Sequence, residues 1–298
     1  MPNTLAHLGI NGLATKTLMR KADLLVIYVG SVIPDFPWIL QRLVSTLQLS
    51  INNYDLRLYS IALSSLFFSL ILSFALANLF KNVTRTFIIF SFGSLVHLLL
   101  DSFETKWGNG VHFFAPFSWE LFNLELFWPE DILIYILTAF GFIYILLNWR
   151  DTIAFLPALA KIDIKKMLLL LISLLAYLLL PFLFVKNVES ADNHFIKTLR
   201  NSDYRLGKYF ETDRGFYVDS PNQDKYITPF KEDLKISNLD LNSSEMMSVR
   251  AKFISKDEIK IIEYHIHHNR DIFSYVGLIF LFILLIVLLV KTISNKIF

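Results

Sequence analysis

His97 and Asp101 stand four residues apart near the end of an apolar run, in His97-Leu98-Leu99-Leu100-Asp101. Four residues make one helical turn, so an imidazole and a carboxylate leave the same face of a helix. Such groups are costly in an apolar layer and normally face a partner, a cavity or an ion. Donors of the same kind recur: His7 in Leu5-Ala6-His7-Leu8-Gly9, Asp35 in Ile33-Pro34-Asp35-Phe36-Pro37, and Glu104 three residues past Asp101. His112 follows in a glycine-broken loop that ends in Ala115-Pro116-Phe117. Two imidazoles with two or three carboxylates suit Zn²⁺, Mn²⁺ or Fe²⁺, whereas Ca²⁺ prefers oxygen alone. Zinc with an open position lowers the pKa of its water toward about 7 and supplies hydroxide for hydrolysis. A second ion could clamp a phosphoryl group. A carboxylate left out of ligation, Asp35 or Glu104, would serve as general base.

Each residue also has a plainer reading. His7 is an ordinary near-terminal histidine, Asp35 a capping carboxylate at a helix stop, and His97 with Asp101 a hydrogen-bonded structural pair. Glu104 and His112 are solvated loop residues on the same reading. His265 and His267 share one strand face at metal-compatible spacing, or are simply exposed on it.

The elements that must position these groups follow from composition. Hydrophobic residues make up 54% and charged residues 18%, with mean hydropathy +0.50, which is the balance of a membrane protein. A net charge of +2 with no concentrated basic stripe argues against nucleic acid as a partner. Cysteine is absent, which excludes disulfides and thiolate metal sites. Residues 1–20 show neither the continuous apolar core nor the small-residue cleavage site of a signal peptide.

About 20 apolar residues cross a bilayer, and five stretches are expected to do so: 56–80, 86–103, 132–149, 167–185 and 272–290. Residues 3–20 read as an amphipathic or partly buried helix, and 22–33 as a short helix that Pro34 and Pro37 bring to a stop. Between 186 and 271 the pattern changes to period-two alternation, as in 233–241, 248–254 and 258–268, with turn chemistry at Ser220-Pro221-Asn222. The expected fold class is therefore mainly α: a polytopic helix bundle over 1–185, an inserted β-rich domain of about five strands over 186–271, and a last helix over 272–298. An OB-like barrel is one form the inserted domain could take.

Charge suggests an orientation. Lys81 and Arg85, then Arg150, Lys161, Lys165 and Lys166, then Lys291 and Lys296 fall on one side of a five-span arrangement, and short basic loops are usually cytoplasmic. Residues 1–55, loop 104–131 and the β-rich domain then face outward from a bacterial-type inner membrane. Lys16, Arg20 and Lys21 run against this count.

The order of motifs supports a resemblance. His7 followed by glycine, Gly30-x-x-x-Pro34-Asp35, and His97-x-x-x-Asp101 followed by a Gly and Pro-Phe loop resemble the YdjM-like family of membrane-bound metal-dependent hydrolases, itself distantly similar to zinc-dependent phospholipase C. The resemblance covers about residues 1–150. It implies that His7, Asp35, His97 and Asp101 are metal positions, with zinc as the metal. One departure is plain: the family's histidine-rich H-R-G-x-T-H-S stretch has no counterpart, because residues 36–96 contain no histidine. That leaves a single ion, a replacement ligand from Glu104 or His112, or an inactive site.

The resulting expectation is a membrane-bound metal-dependent hydrolase acting on a phosphoester or lipid-like substrate drawn from the membrane lipids. A membrane anchor displaying the β-domain, and an ion or proton path through the bundle, are the competing readings.

Overall fold

The computed structural model describes residues 3–154, 157, 159–191, 194–220, 223–239, 241–268 and 271–297. Pro221 and Asn222 of the expected turn lie outside the described residues. The α-helices run α1 (Thr4–Leu18), α2 (Leu24–Gly30), α3 (Phe36–Thr46), α4 (Asn53–Leu63), α5 (Leu66–Ala77) and α6 (Val83–Phe103). They continue as α7 (Ile132–Leu147), α8 (Trp149–Ala154), α9 (Ile164–Leu179), α10 (Val185–Ser190), α11 (Ile196–Arg200) and α12 (Asp271–Ile297). Between α11 and α12 come β1 (Tyr209–Val218), β2 (Lys225–Ile227), β3 (Asp233–Ile236), β4 (Glu245–Phe253) and β5 (Glu258–Ile266).

Four helical stretches are long and apolar enough to cross a membrane: Leu24–Thr46, Val83–Phe103, Ile164–Leu183 and Ile272–Lys291. The last three match expected spans; the other two expected spans need correction. The stretch expected over 56–80 is α4 and α5, bent by 71° at Ser64 and Ser65. α7 has 16 residues, about 24 Å of helix, short of a full 30 Å crossing. Leu24–Thr46 was expected to stop at its prolines, yet the helical path continues through them. Pro34 opens a 3₁₀ turn over Ile33–Asp35 and Pro37 sits in the first turn of α3, where a missing N–H costs nothing.

Two glycine crossings hold the centre of the bundle. A Cβ on Gly9 would lie 2.1 Å from Gly141 Cα, so α1 and α7 touch backbone to backbone. A Cβ on Gly93 would lie 2.9 Å from the Gly30 carbonyl carbon, which brings α2 equally close to α6. Small residues at such crossings are what permit close helix approach. Asn3 fixes the start of α1: its side chain accepts from the Ala6 N–H at 3.1 Å and donates to Thr138 on α7. Leu8, Leu25, Ile27, Phe68 and Phe90 are buried around these crossings. Ile136, Ile172, Phe282 and Leu289 are among many large apolar side chains left exposed on the outer helices.

The five strands close into a barrel in the order β1-β2-β3-β5-β4, with β3 and β5 parallel and the other pairs antiparallel. Phe210, Tyr217, Tyr226, Met247, Val249 and Ile259 fill it, the inward half of the period-two pattern. Loop 104–131 joins barrel to bundle. The Gly108 N–H donates to Glu211 at 3.3 Å, and Arg250 lies 2.7 Å from Glu125 and 3.0 Å from Glu211.

A group of basic residues that flank the helices sits at the end away from the barrel. Arg85 donates to the Lys21 carbonyl, Lys16 and Lys21 share a small cavity with Asp151, and Lys291 donates to the Ile153 carbonyl at 2.8 Å. Lys16 and Lys21 therefore lie with Arg85 and Lys291 rather than with the barrel, which corrects the placement of residues 1–55 on a single face.

Candidate metal centre

α2 and α6 run side by side from the basic end toward the barrel, while α1 runs the opposite way beside them. Gly93 is one turn before His97 and Asp101 one turn after, so the α2–α6 crossing sets the height of both donors against Ser31 and Asp35. α1 brings His7 against them: the His7 and His97 rings stack at 3.8 Å with 14° between planes.

The polar atoms converge. His7 Nε2 is 3.4 Å from Asp101 Oδ1, His97 Nε2 is 3.5 Å from Asp101 Oδ2, and His97 Nε2 is 3.5 Å from Asp35 Oδ1. His7, His97 and Asp101 meet the spacing of a three-ligand metal group. Exposure is 0% for His7, 1% for His97, 7% for Asp101 and 9% for Asp35.

One contact decides how His97 presents itself. His97 Nδ1 lies 2.6 Å from the Ser31 carbonyl oxygen, an acceptor only, so this nitrogen carries the hydrogen. In the neutral ring Nε2 is then a lone pair, and it faces two carboxylates. A backbone carbonyl holding the far nitrogen is the usual arrangement behind a metal-ligating histidine. Among the described residues, His97 Nε2, both nitrogens of His7 and Asp35 Oδ1 have no hydrogen-bond partner, and Asp101 Oδ1 meets only the ionic contacts of its neighbours.

Lys106 supplies the neighbouring cation. Its Nζ lies 3.3 Å from Asp101 Oδ1 and 3.3 Å from Glu104 Oε2. Burial opposes the lysine charge, but Asp101 and Glu104 outweigh it and hold Lys106 above the ordinary lysine value. With both imidazoles neutral, three carboxylates against one ammonium leave two negative charges in this buried cluster, the balance a divalent cation would neutralise.

Of the residues expected from sequence, His7, His97 and Asp101 come together at ligand spacing, and Asp35 joins them through His97. Glu104 is fully buried against Lys106 and is not one of the three donors that meet at ligand spacing among the described residues. His112 also stays out of the cluster; it packs 6.0 Å from the Trp119 ring, and burial lowers its pKa to about 4. Sequence reading does not single out Lys106 or the Ser31 carbonyl. Only the Glu104-Thr105-Lys106 spacing hinted at the first, and nothing local marks the second.

The chain matches no protein-family model, no curated protein and no solved structure. The functional reading therefore stands on the site alone.

Proposed function

We propose that this chain is an integral membrane hydrolase whose His7, Asp35, His97 and Asp101 hold one divalent metal ion. The observation that carries the reading is the convergence of donor atoms: His7, His97 and Asp101 lie at ligand spacing, and Asp35 reaches His97. Ligands about 2.0–2.2 Å from zinc at tetrahedral angles stand about 3.4 Å apart. The three nitrogen–oxygen separations are 3.4, 3.5 and 3.5 Å, between atoms with few or no other partners. Two imidazoles and two carboxylates favour zinc, with manganese or iron as substitutes. Zinc held there would lower the pKa of a water toward about 7 and so supply hydroxide for hydrolysis.

The remaining roles belong to the chain itself. Asp35 has the most open carboxylate of the cluster, its side chain 13% exposed; with Oδ1 on the metal, its second oxygen would be left to take a proton from an incoming water. Glu104, ion-paired and enclosed, keeps Lys106 oriented instead. Lys106 offers the only positive charge beside the carboxylates among the described residues and suits a phosphoryl oxygen.

Depth supports a lipid-like phosphoester as substrate. Thr4 packs against Gly277 of α12, and His7 lies one turn further along α1. By the helix rise this is roughly 12 Å past the start of the apolar stretch at Ile272. A headgroup could reach that level from one leaflet. The exposed apolar faces are read as lipid-facing, the basic end as cytoplasmic, and the barrel, in its strand order an OB-like domain, as extracytoplasmic. We propose membership of the YdjM-like family on the same four residues, which the resemblance implies are metal positions.

The test is hydrolysis. Detergent-purified, zinc-loaded protein should release product from a chromogenic phosphodiester or from mixed phospholipid vesicles. Asp35→Asn and Asp101→Asn should each lower the rate by about 100-fold or more. Absence of hydrolysis of both substrates, or a rate untouched by Asp101→Asn, would overturn the proposal.

A further inference from the structure

A second group of metal-type donors lies where the barrel meets the loop before α7. The backbone leaves β5 at Ile266, and His267, the next residue, turns into the interior with its side chain 1% exposed. His267 Nδ1 lies 3.0 Å from Glu130 Oε1, and His265 Nε2 lies 3.3 Å from Glu130 Oε2. The His265 ring lies flat on Trp128, centroids 3.8 Å apart and planes 3° from parallel. All three donors are brought within ligand spacing by segments far apart in sequence.

The hydrogen bonds behind His267 fix its tautomer. Ser248 Oγ donates to Asp213 Oδ1 at 2.8 Å and accepts from the Arg214 N–H at 3.2 Å. Its one hydrogen is thus committed, so His267 Nε2, 2.7 Å away, must be the donor to that oxygen. In the neutral ring this leaves the Nδ1 lone pair pointing at a carboxylate oxygen. Two lone pairs at that distance require a cation between them, either a proton or a metal.

We propose that Glu130, His265 and His267 form a second divalent-metal site of the zinc type. Two imidazoles and one carboxylate are a known zinc donor set that leaves a fourth position open. The ligand–Ser248–Asp213 relay supplies the oriented outer shell that metal-bound histidines use. The site ties β5 to the same loop that carries Glu104, Lys106 and His112. Trp107, next to Lys106 in sequence, meets Trp128 edge-on at 4.9 Å, and Trp128 carries the His265 ring. The second site needs nothing from the first, and either can be lost alone.

Full-length protein, stripped with chelator and reloaded with Zn²⁺, distinguishes them. Wild type should hold about two equivalents, Asp101→Asn about one, Glu130→Gln about one, and the double variant none. Cobalt loaded into Asp101→Asn should give tetrahedral visible bands that Glu130→Gln abolishes. Zinc should raise the Tm of Asp101→Asn but not of the double variant, which guards against a variant that merely misfolds. If Glu130→Gln elutes as folded protein with the wild-type metal content, the site is a protonated histidine–carboxylate pair and the proposal falls. If instead Glu130→Gln holds no metal while Asp101→Asn holds one, the first centre fails and the second stands.

Discussion

Lys106 separates electrostatic support from ligation at the first centre. Its ammonium lies between Asp101 and Glu104, all three side chains less than a tenth exposed. Removing one partner of a buried ion pair leaves an uncompensated charge and costs about 3–5 kcal/mol. Lys106→Met should therefore lower Tm sharply, and adding Glu104→Gln should recover part of the loss. Equal Tm values for wild type and Lys106→Met would show that the carboxylates are balanced by something else. At this scale the sequence names all four donors but shows only one pair of them as neighbours. His97 and Asp101 are legible because one helical turn relates them and no tertiary structure is needed. His7 and Asp35 become partners only when α1 and α2 pack against α6, and no local pattern encodes that packing. The same limit hid Glu130, whose histidine partners lie on the far side of the barrel sequence.

At the scale of elements, glycine rather than hydrophobicity sets the geometry. Gly141 allows α7 to touch α1 at Leu5 and Gly9, one turn or less from His7. A leucine there must displace backbone, and overpacking typically costs about 1–3 kcal/mol. Gly141→Leu should lower both Tm and the zinc affinity of the first centre, because α1 carries His7 away with it. Unchanged metal content in a folded Gly141→Leu protein would mean that His7 is not held by this crossing. The barrel was readable because half-buried strands impose a period of two, visible in Asp233–Ile236 and Glu258–Ile266. Helix breaks were less readable. Hydropathy runs straight through Ser64 and Ser65, where the chain bends by 71°, while Pro34 and Pro37 suggested a stop where first-turn positions accommodate them.

Across the whole molecule, the donor clusters and the basic residues at the helix ends lie toward opposite ends of the bundle. The barrel and both donor clusters lie toward one end, and Lys16, Lys21, Arg85 and Lys291 at the other. Lys16 and Lys21 at that end no longer count against the proposed orientation. The absence of cysteine makes this directly measurable. On intact cells, an impermeant maleimide should label Ser243→Cys in the barrel and leave Lys81→Cys unlabelled until the membrane is opened. The reverse pattern would place the barrel in the cytoplasm.

The convergence of His7, Asp35, His97 and Asp101 on one cation is most directly tested by anomalous diffraction from crystals grown with zinc and recorded at the zinc edge. The account predicts a peak between the stacked imidazoles and the two aspartates, about 2.0–2.2 Å from His97 Nε2. A map without density there, in crystals where zinc is bound elsewhere, would contradict it.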